Sequence, residues 1–202
     1  MEVQIKTNVL DRNRKLIINS ELIEFDDSGF VNTTIAKFSR GEVASFKYGV
    51  KLITGYSFTI GRIYCIDIKN LDDQVIKIRL VSLYGIRKKM LFKKFNEILN
   101  AFFETHHRDI VTYYLQIFET GIQVNILNTA FNQSEVIING KEVRWEDLGT
   151  KTYATYFALF SIRYPSVYKS YSYLNEWNTA VVYSFSKQVL LQKGLLNLKT
   201  GK

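Results

Sequence analysis

Two adjacent histidines, His106 and His107, are the only imidazoles in a chain of 202 residues, so metal or acid–base chemistry would have to start from them. Neighbouring helical positions project about 100° apart. That makes the pair a poor chelate beside the i, i+4 spacing with which two imidazoles on one helix share a metal. With Asp109 close by, the group reads as a hydrogen-bonded hinge between domains. The chain has no glycine-rich phosphate loop, no Ser, His and acid at a recognisable spacing, and no carboxylate pair in a motif context. Cys65 is the one cysteine and sits in "RIYCIDI", where it reads as a small buried apolar residue in a reducing compartment. The expectation is therefore a protein that is not an enzyme, with no cofactor and no metal.

Two stretches carry binding chemistry instead. "RKKMLFKK", residues 87–94, places Arg87, Lys88, Lys89, Lys93 and Lys94 together with no acid, five of the 27 basic residues in the chain. Such a run suits an anionic lipid surface or nucleic-acid phosphate, or it is a solvated helix face. Cations in the first turn oppose the helix dipole, a small cost that points towards a use. "RYPSVYKSYSYLNEW" holds Tyr164, Tyr168, Tyr171 and Tyr173 beside Arg163 and Lys169. Aromatics interleaved with cations line peptide grooves or stack on single-stranded bases, although Tyr171 and Tyr173, two apart, share a strand face and equally suit packing.

The elements that position these residues follow from hydrophobic period. Short alternating runs fill the first half: "KLIINS", "ELIEF", "TIAKFS" after a "DDSG" loop, "KYGVKLIT", "YSFTIG", "RIYCIDIK" and "QVIKIRL", the last two joined by the turn-forming "NLDDQ". The period then changes. Leu91, Phe95, Ile98 and Phe102 recur on one helical face, widened by Phe92, Leu99 and Phe103, with Lys89, Lys93, Lys94 and Glu97 opposite. A second helical pattern through Val111, Tyr114, Leu115 and Phe118 stops at Gly121. Strands resume in "GIQVNIL", "SEVIING", "KEVRW", "KTYATYFAL", "SIRY" and "VYKSYSYL". A last helix follows, with Asn175 as N-cap and Val181, Val182, Phe185 and Val189 as its apolar stripe.

The second half thus repeats the first in kind. Setting "FSRGEVAS" (38–45) over "VRWEDLGT" (143–150) aligns an apolar first position, an acid at the fifth, Glu42 or Asp147, and an aliphatic at the sixth, Val43 or Leu148. Each copy then runs into long strands and a closing helix, as two copies of one fold would. Composition agrees with packed domains: 47% apolar and 14% aromatic residues, one proline and 11 glycines. The net charge of +8 is spread, with 18 basic and 13 acidic residues up to Asp109 (+5) and 9 and 6 after it (+3). Neither a secretory leader nor a membrane-spanning run is evident, so a cytoplasmic location is expected.

A meander of six or seven strands, a corner carrying an acid and an aliphatic, and one closing helix resembles the pleckstrin-homology-like (PH-like) fold, in particular small bacterial versions that occur in tandem. "GKEVRWEDLGT", with Trp145, Asp147 and Leu148, is similar to their strand-to-turn corner. "NEWNTAVVYSF" resembles a closing helix with Trp177 in its first turn. The resemblance implies an α+β chain of two PH-like domains, residues 1–108 and 109–202, with a helical connection about 106–120. Each would be a strongly bent antiparallel sheet or partly open barrel closed by a C-terminal helix, with Trp177 covering one open end. It also implies a non-catalytic binding or scaffolding module, with an unknown protein or peptide as partner. Contact with an anionic membrane surface through 87–94 is the alternative, and nucleic acid comes last. Residues 121–140 carry no basic side chain, which argues against inositol-phosphate recognition there.

Overall fold

The computed structural model describes residues 1–6, 12–26 and 35–195. The expected "DDSG" loop lies largely outside the described residues. The chain divides into two compact units, Met1–Asp109 and Ile110–Lys202.

In the first unit, β1 (Glu2–Lys6), β2 (Asn13–Ile18), β3 (Leu22–Asp26) and β4 (Ile35–Ser39) form a four-stranded antiparallel sheet in chain order. Strands β5 (Val43–Thr54), β6 (Thr59–Asn70) and β7 (Val75–Leu83) form a three-stranded one. Helix α1 (Lys88–Phe102) follows and packs on strands of both sheets, β2, β6 and β7. Helix α2 (Arg108–Glu119) supplies most of the expected helical connection, and after it, in the second unit, β8 (Val124–Ile126), β9 (Thr129–Phe131), β10 (Glu135–Ile138) and β11 (Lys141–Arg144) again make four antiparallel strands. Then come β12 (Leu148–Thr152), β13 (Tyr156–Ser161) and β14 (Tyr168–Ser172) as a three-stranded sheet, and helix α3 (Thr179–Gln192). The fold class is mixed α+β with antiparallel sheets, and the sheets do not close into barrels.

The cores are where the period places them. Ile76, Ile78 and Leu80 of β7 are fully buried, as are Leu91, Ile98 and Phe102 of α1, the helix that packs on β7. Val181, Val182, Phe185 and Val189 of α3 are equally inaccessible. Phe92 does not widen the α1 stripe. It stands about 100° from Leu91 around the helix and is exposed, with its ring 6.0 Å from that of Tyr64.

The corner stretches occupy equivalent places, each joining the last strand of a four-stranded sheet to the first of a three-stranded one. In the first, the Glu42 carboxylate accepts the Ser39 N–H at 2.6 Å, while the Glu42 carbonyl accepts the Leu71 N–H at 2.9 Å. In the second, "WED" forms a 3₁₀ turn, Trp145–Asp147, and the Asp147 carbonyl accepts the Ile162 N–H at 2.8 Å. Val43 pairs with Asn70, and Leu148 with Ser161, so each carbonyl closes the same ladder position. The residue following the strand differs. Arg40 reaches Asp109 with two hydrogen bonds of 2.8 and 2.9 Å, whereas Trp145 turns into the core of its own unit.

Several boundaries differ from expectation for identifiable reasons. "YSFTIG" and "RIYCIDIK" are one strand, because Gly61 continues the ladder opposite Leu83 where a Cβ would lie 2.3 Å from the Ser82 carbonyl oxygen. Conversely, "GIQVNIL" and the following "TAF" are a hairpin turning at Leu127 and Asn128, φ 51° and 54°, a left-handed pair without the usual glycine. "KTYATYFAL" folds back at Tyr153–Tyr156 into β12 and β13, and "SIRY" leaves β13 as a bend. β1 and β9, short strands, have no counterpart in the sequence reading. Helix α3 starts at Thr179 with Asn178 as N-cap (φ 63°), so Asn175 is not the cap and half-buried Trp177 precedes the helix instead of sitting in its first turn.

Candidate functional site

The histidines lie in a π-helical turn, Phe103–His107, directly after α1 and within the first unit. Both are buried. His107 meets Phe46 and Phe103 edge-on at 5.4 and 4.7 Å, and His106 lies against Phe102 at 5.9 Å. They pack in an aromatic cluster two residues before the boundary between the units, and Asp109 is engaged by Arg40. His106 Nε2 has no hydrogen-bond partner, and burial holds the imidazole pKa below its usual value, against the backbone of Asn19 and Leu22 and the Asp109 carboxylate. The unfolded chain therefore takes up a proton as pH falls through about 6.5, before the folded chain does, so this contribution to stability is complete above that pH and is lost below it. Melting temperature should fall between pH 7 and pH 5. A His106→Gln variant should show a shallower slope over that interval, and an unchanged slope would contradict the assignment.

The basic run does not act as one group. Lys94 donates to the Gln4 carbonyl at 2.5 Å, Lys93 lies 3.8 Å from Glu97, and Arg87 is half-buried at the α1 N-cap in a left-handed conformation, φ 59°. Lys88 and Lys89 are exposed.

The tyrosine segment also divides. Tyr171 and Tyr173 face the core. Tyr171 is fully buried with its hydroxyl against that of Thr129, and burial pushes its pKa up, while that of Tyr173 rises to about 12 for the same reason. Tyr164 is exposed in the bend after β13, with the Arg163 guanidinium 5.5 Å from its ring centre. Tyr168 stands on the outward face of β14, and there the structure assembles a site that includes residues the sequence reading passed over.

The pairing register defines that face. Tyr153 and Tyr156 close the β12–β13 hairpin through the Tyr153 N–H to Tyr156 carbonyl bond at 2.9 Å, and their rings stack at 4.3 Å. One step along the outward face, Lys151, Ala158 and Ser170 lie side by side across the three strands. One step further come Gly149, Phe160 and Tyr168. The Phe160 ring covers Gly149, with a ring carbon 2.4 Å from where a Cβ would be, which is why this position in "EDLGT" is glycine. The small side chains of Ala158 and Ser170 thus form the floor of a trough of about 290 Å³ with Tyr153 and Tyr156 on one wall and Tyr168 on the other. Like-facing rows along a strand stand about 7 Å apart, which leaves room for one ring or aliphatic side chain. The Lys151 ammonium lies 5.4 Å from the centre of the Tyr153 ring at the β12 end. Desolvation, then the neighbouring Tyr153, raises the Tyr156 pKa, so its hydroxyl remains a neutral donor.

The strand edges beside the trough are unequal. Register puts the Tyr168, Ser170 and Ser172 backbone groups on the outer side of β14, where the Asn139 amide donates to the Tyr168 carbonyl at 3.1 Å and the Glu176 carboxylate accepts the Ser172 N–H at 2.6 Å. On β12 the outward groups belong to Leu148, Thr150 and Thr152. The Leu148 N–H is capped by the Trp145 carbonyl, while Thr150 is half-exposed and Thr152 exposed.

A second cleft of the same unit, about 400 Å³ between Phe118, Gln133, Val189 and Lys193, has its polar groups spent on one another. The Lys193 ammonium donates to the Gln133 carbonyl at 2.8 Å, and the Gln192 amide to the Glu119 carboxylate at 3.3 Å. Among the described residues, no group of three or more His, Cys, Asp and Glu side chains is placed to hold a metal ion, and no helix is long and apolar enough to cross a membrane. No protein-family model matches the chain, and no curated protein or solved structure shows significant similarity to it.

Proposed function

We propose that the chain is a non-catalytic binding module of two PH-like domains whose second domain receives an extended peptide in the tyrosine trough. Support for the PH-like reading is the shared order in both units, four antiparallel strands, a corner with an acid and an aliphatic, three antiparallel strands and a helix, together with the matching carbonyl bonds at the two corners.

The observation that carries the peptide reading is the trough itself. Exposed aromatic side chains lose little entropy when a ligand packs between them, and their hydroxyls remain available to peptide carbonyls. A groove one ring wide between tyrosines suits proline or another compact apolar side chain, and a proline-rich segment arrives already extended. Lys151 at the β12 end favours an acidic residue in the ligand, and the open Thr150–Thr152 edge offers backbone hydrogen bonds to a chain leaving the trough on that side. The site is shallow, which fits recognition of a segment better than sequestration of a small reactant. Single-stranded nucleic acid fits less well, because the two tyrosines that would have completed a stacking platform, Tyr171 and Tyr173, are in the core.

Selection of a random peptide-display library on the intact protein tests this reading. Enriched sequences are expected to carry proline or small aliphatic residues, and a Tyr156→Ala variant should weaken them by about 1–2 kcal/mol. Failure to enrich any family of sequences, or enrichment indifferent to Tyr156, would count against it.

A further inference from the structure

The first unit presents a second surface of different chemistry. At one end of its three-stranded sheet, the β5–β6 loop carries Tyr56, fully exposed, and Phe58, 64% exposed. The β7–α1 connection lies beside it, since the Tyr84 N–H donates to the Ile60 carbonyl at 2.8 Å, and it adds Tyr84 and Ile86, 75% and 55% exposed. Four large apolar side chains pointing into water at one end of a small sheet are more than scattered surface residues require.

The connection is built to hold them there. Tyr84, Gly85 and Arg87 all take positive φ (49°, 75° and 59°), a conformation that bulky residues seldom adopt. It is fixed by the Ile86 N–H to Leu83 carbonyl bond at 2.9 Å and by the buried Ser82 hydroxyl, which donates to the Ile86 carbonyl at 2.9 Å. Strain retained in this way clusters at binding surfaces.

Charge identifies the occupant. Lys47 and Arg79 lie within 4 Å of Asp67, and Lys93 of Glu97, but nearest the tip residues 51–66 and 80–92 carry Lys51, Arg62, Arg87, Lys88 and Lys89 and not one Asp or Glu. Lys88 and Lys89 follow the apolar connection immediately and are exposed, and no acid lies in the first turn of α1 to neutralise them. Aromatic side chains at a tip beside cations of a single sign match the two layers of a bilayer surface, where Tyr and Phe enter the headgroup boundary and Lys and Arg meet anionic headgroups. A protein partner of ordinary surface composition would bring charges of both signs.

We propose that this end of the first unit docks on a bilayer carrying anionic headgroups, with Tyr56, Phe58, Tyr84 and Ile86 entering the interface and Lys88 and Lys89 contacting the headgroups. No headgroup pocket is involved, so net surface charge governs binding. The surface is separate from the tyrosine trough and does not depend on the peptide reading.

Co-sedimentation of the intact protein with vesicles of phosphatidylcholine alone, and with about one third phosphatidylserine, tests it; each protein's thermal melt is recorded first. Pelleting is expected only with the anionic vesicles. Lys88→Glu/Lys89→Glu and Tyr56→Ser/Phe58→Ser, all at exposed positions, should each melt like the parent and each weaken partitioning at least about tenfold. Absence of pelleting with anionic vesicles overturns the proposal, as does pelleting that either folded double variant leaves unchanged.

Discussion

A Trp145→Ala variant is expected to lose about 3–5 kcal/mol of stability in the second unit. The indole is 3% exposed and near-parallel to the Phe131 ring at 6.1 Å, and it meets Phe118 edge-on at 6.0 Å. Phe131 and Phe118 each contact Phe185 of α3, at 5.0 and 5.5 Å, so the indole belongs to the cluster that ties sheet to helix. Alanine leaves a cavity that the corner is poorly able to fill, because the β10–β11 pairing at Arg144 holds the backbone before it and the Leu148 N–H to Trp145 carbonyl and Ile162 N–H to Asp147 carbonyl bonds hold the backbone after it. It also removes the indole N–H bond to the Asn132 carbonyl, 2.8 Å, leaving that acceptor short of a partner. Since domains are stable by only about 5–15 kcal/mol, most of the margin goes. Urea unfolding followed through Trp177, the one tryptophan left, should show a midpoint shifted far downwards, and a shift of less than about 1 kcal/mol would contradict this description of the corner.

Phe46→Ala should cost the first unit a comparable amount, about 3–5 kcal/mol. Phe46 is 1% exposed and is the hub of the cluster that seats the π-helical turn, with ring centres at 4.6 Å from Phe102, 5.6 Å from Phe103 and 5.4 Å from His107. Offset and edge-on aromatic pairs of this kind add to simple burial. Both tryptophans belong to the second unit, so fluorescence is the wrong probe. Amide hydrogen exchange in β6 and β7 should accelerate by roughly two orders of magnitude or more, as a loss of that size in global stability requires. Protection within tenfold of the parent would show that the cluster is not the keystone.

How much of this was legible beforehand depended on whether a signal was local. Burial of Leu91, Ile98 and Phe102 follows from helical period, and Ile76, Ile78 and Leu80 from strand alternation, because one face of each element is apolar and the other is not. The "NLDDQ" hairpin was legible because Asn70 builds the turn, its side-chain carbonyl accepting the N–H groups of Asp72 and Gln74 at 3.1 and 2.8 Å. Turns in which the side chain does not build the loop in this way were invisible. Leu127–Asn128 adopts a left-handed pair without glycine, and the turn at Tyr153–Tyr156 is secured by a ring stack that reads as more strand.

The trough was missed for that same reason. Tyr153 and Tyr156 look like neighbours along one strand until the chain is known to reverse between them. Only then does register place Tyr168 opposite, with Ala158 and Ser170 between. Tyr171 and Tyr173 were selected with Tyr168 by sequence proximity, but strand parity sends them inward, and replacing them with alanine would probe folding and not ligand contact. The basic run had the opposite fault. Its five residues lie close together in sequence, yet Lys93 and Lys94 are drawn to Glu97 and the Gln4 carbonyl, while two of the exposed aromatics at the same end of the sheet, Tyr56 and Phe58, come from a loop about 30 residues earlier in the chain.

The central claim is that ligand contact in the second unit is made by the trough and not by tyrosine-rich sequence in general. Tyr168 and Tyr164 are almost equally exposed, 59% and 58%, and only Tyr168 lines the trough. Calorimetric titration of a library-selected peptide into the parent, Tyr168→Ala and Tyr164→Ala proteins separates the two. The trough predicts a loss of about tenfold or more in affinity for Tyr168→Ala and parental affinity for Tyr164→Ala. Equal losses in the two variants, or none in Tyr168→Ala, would contradict it.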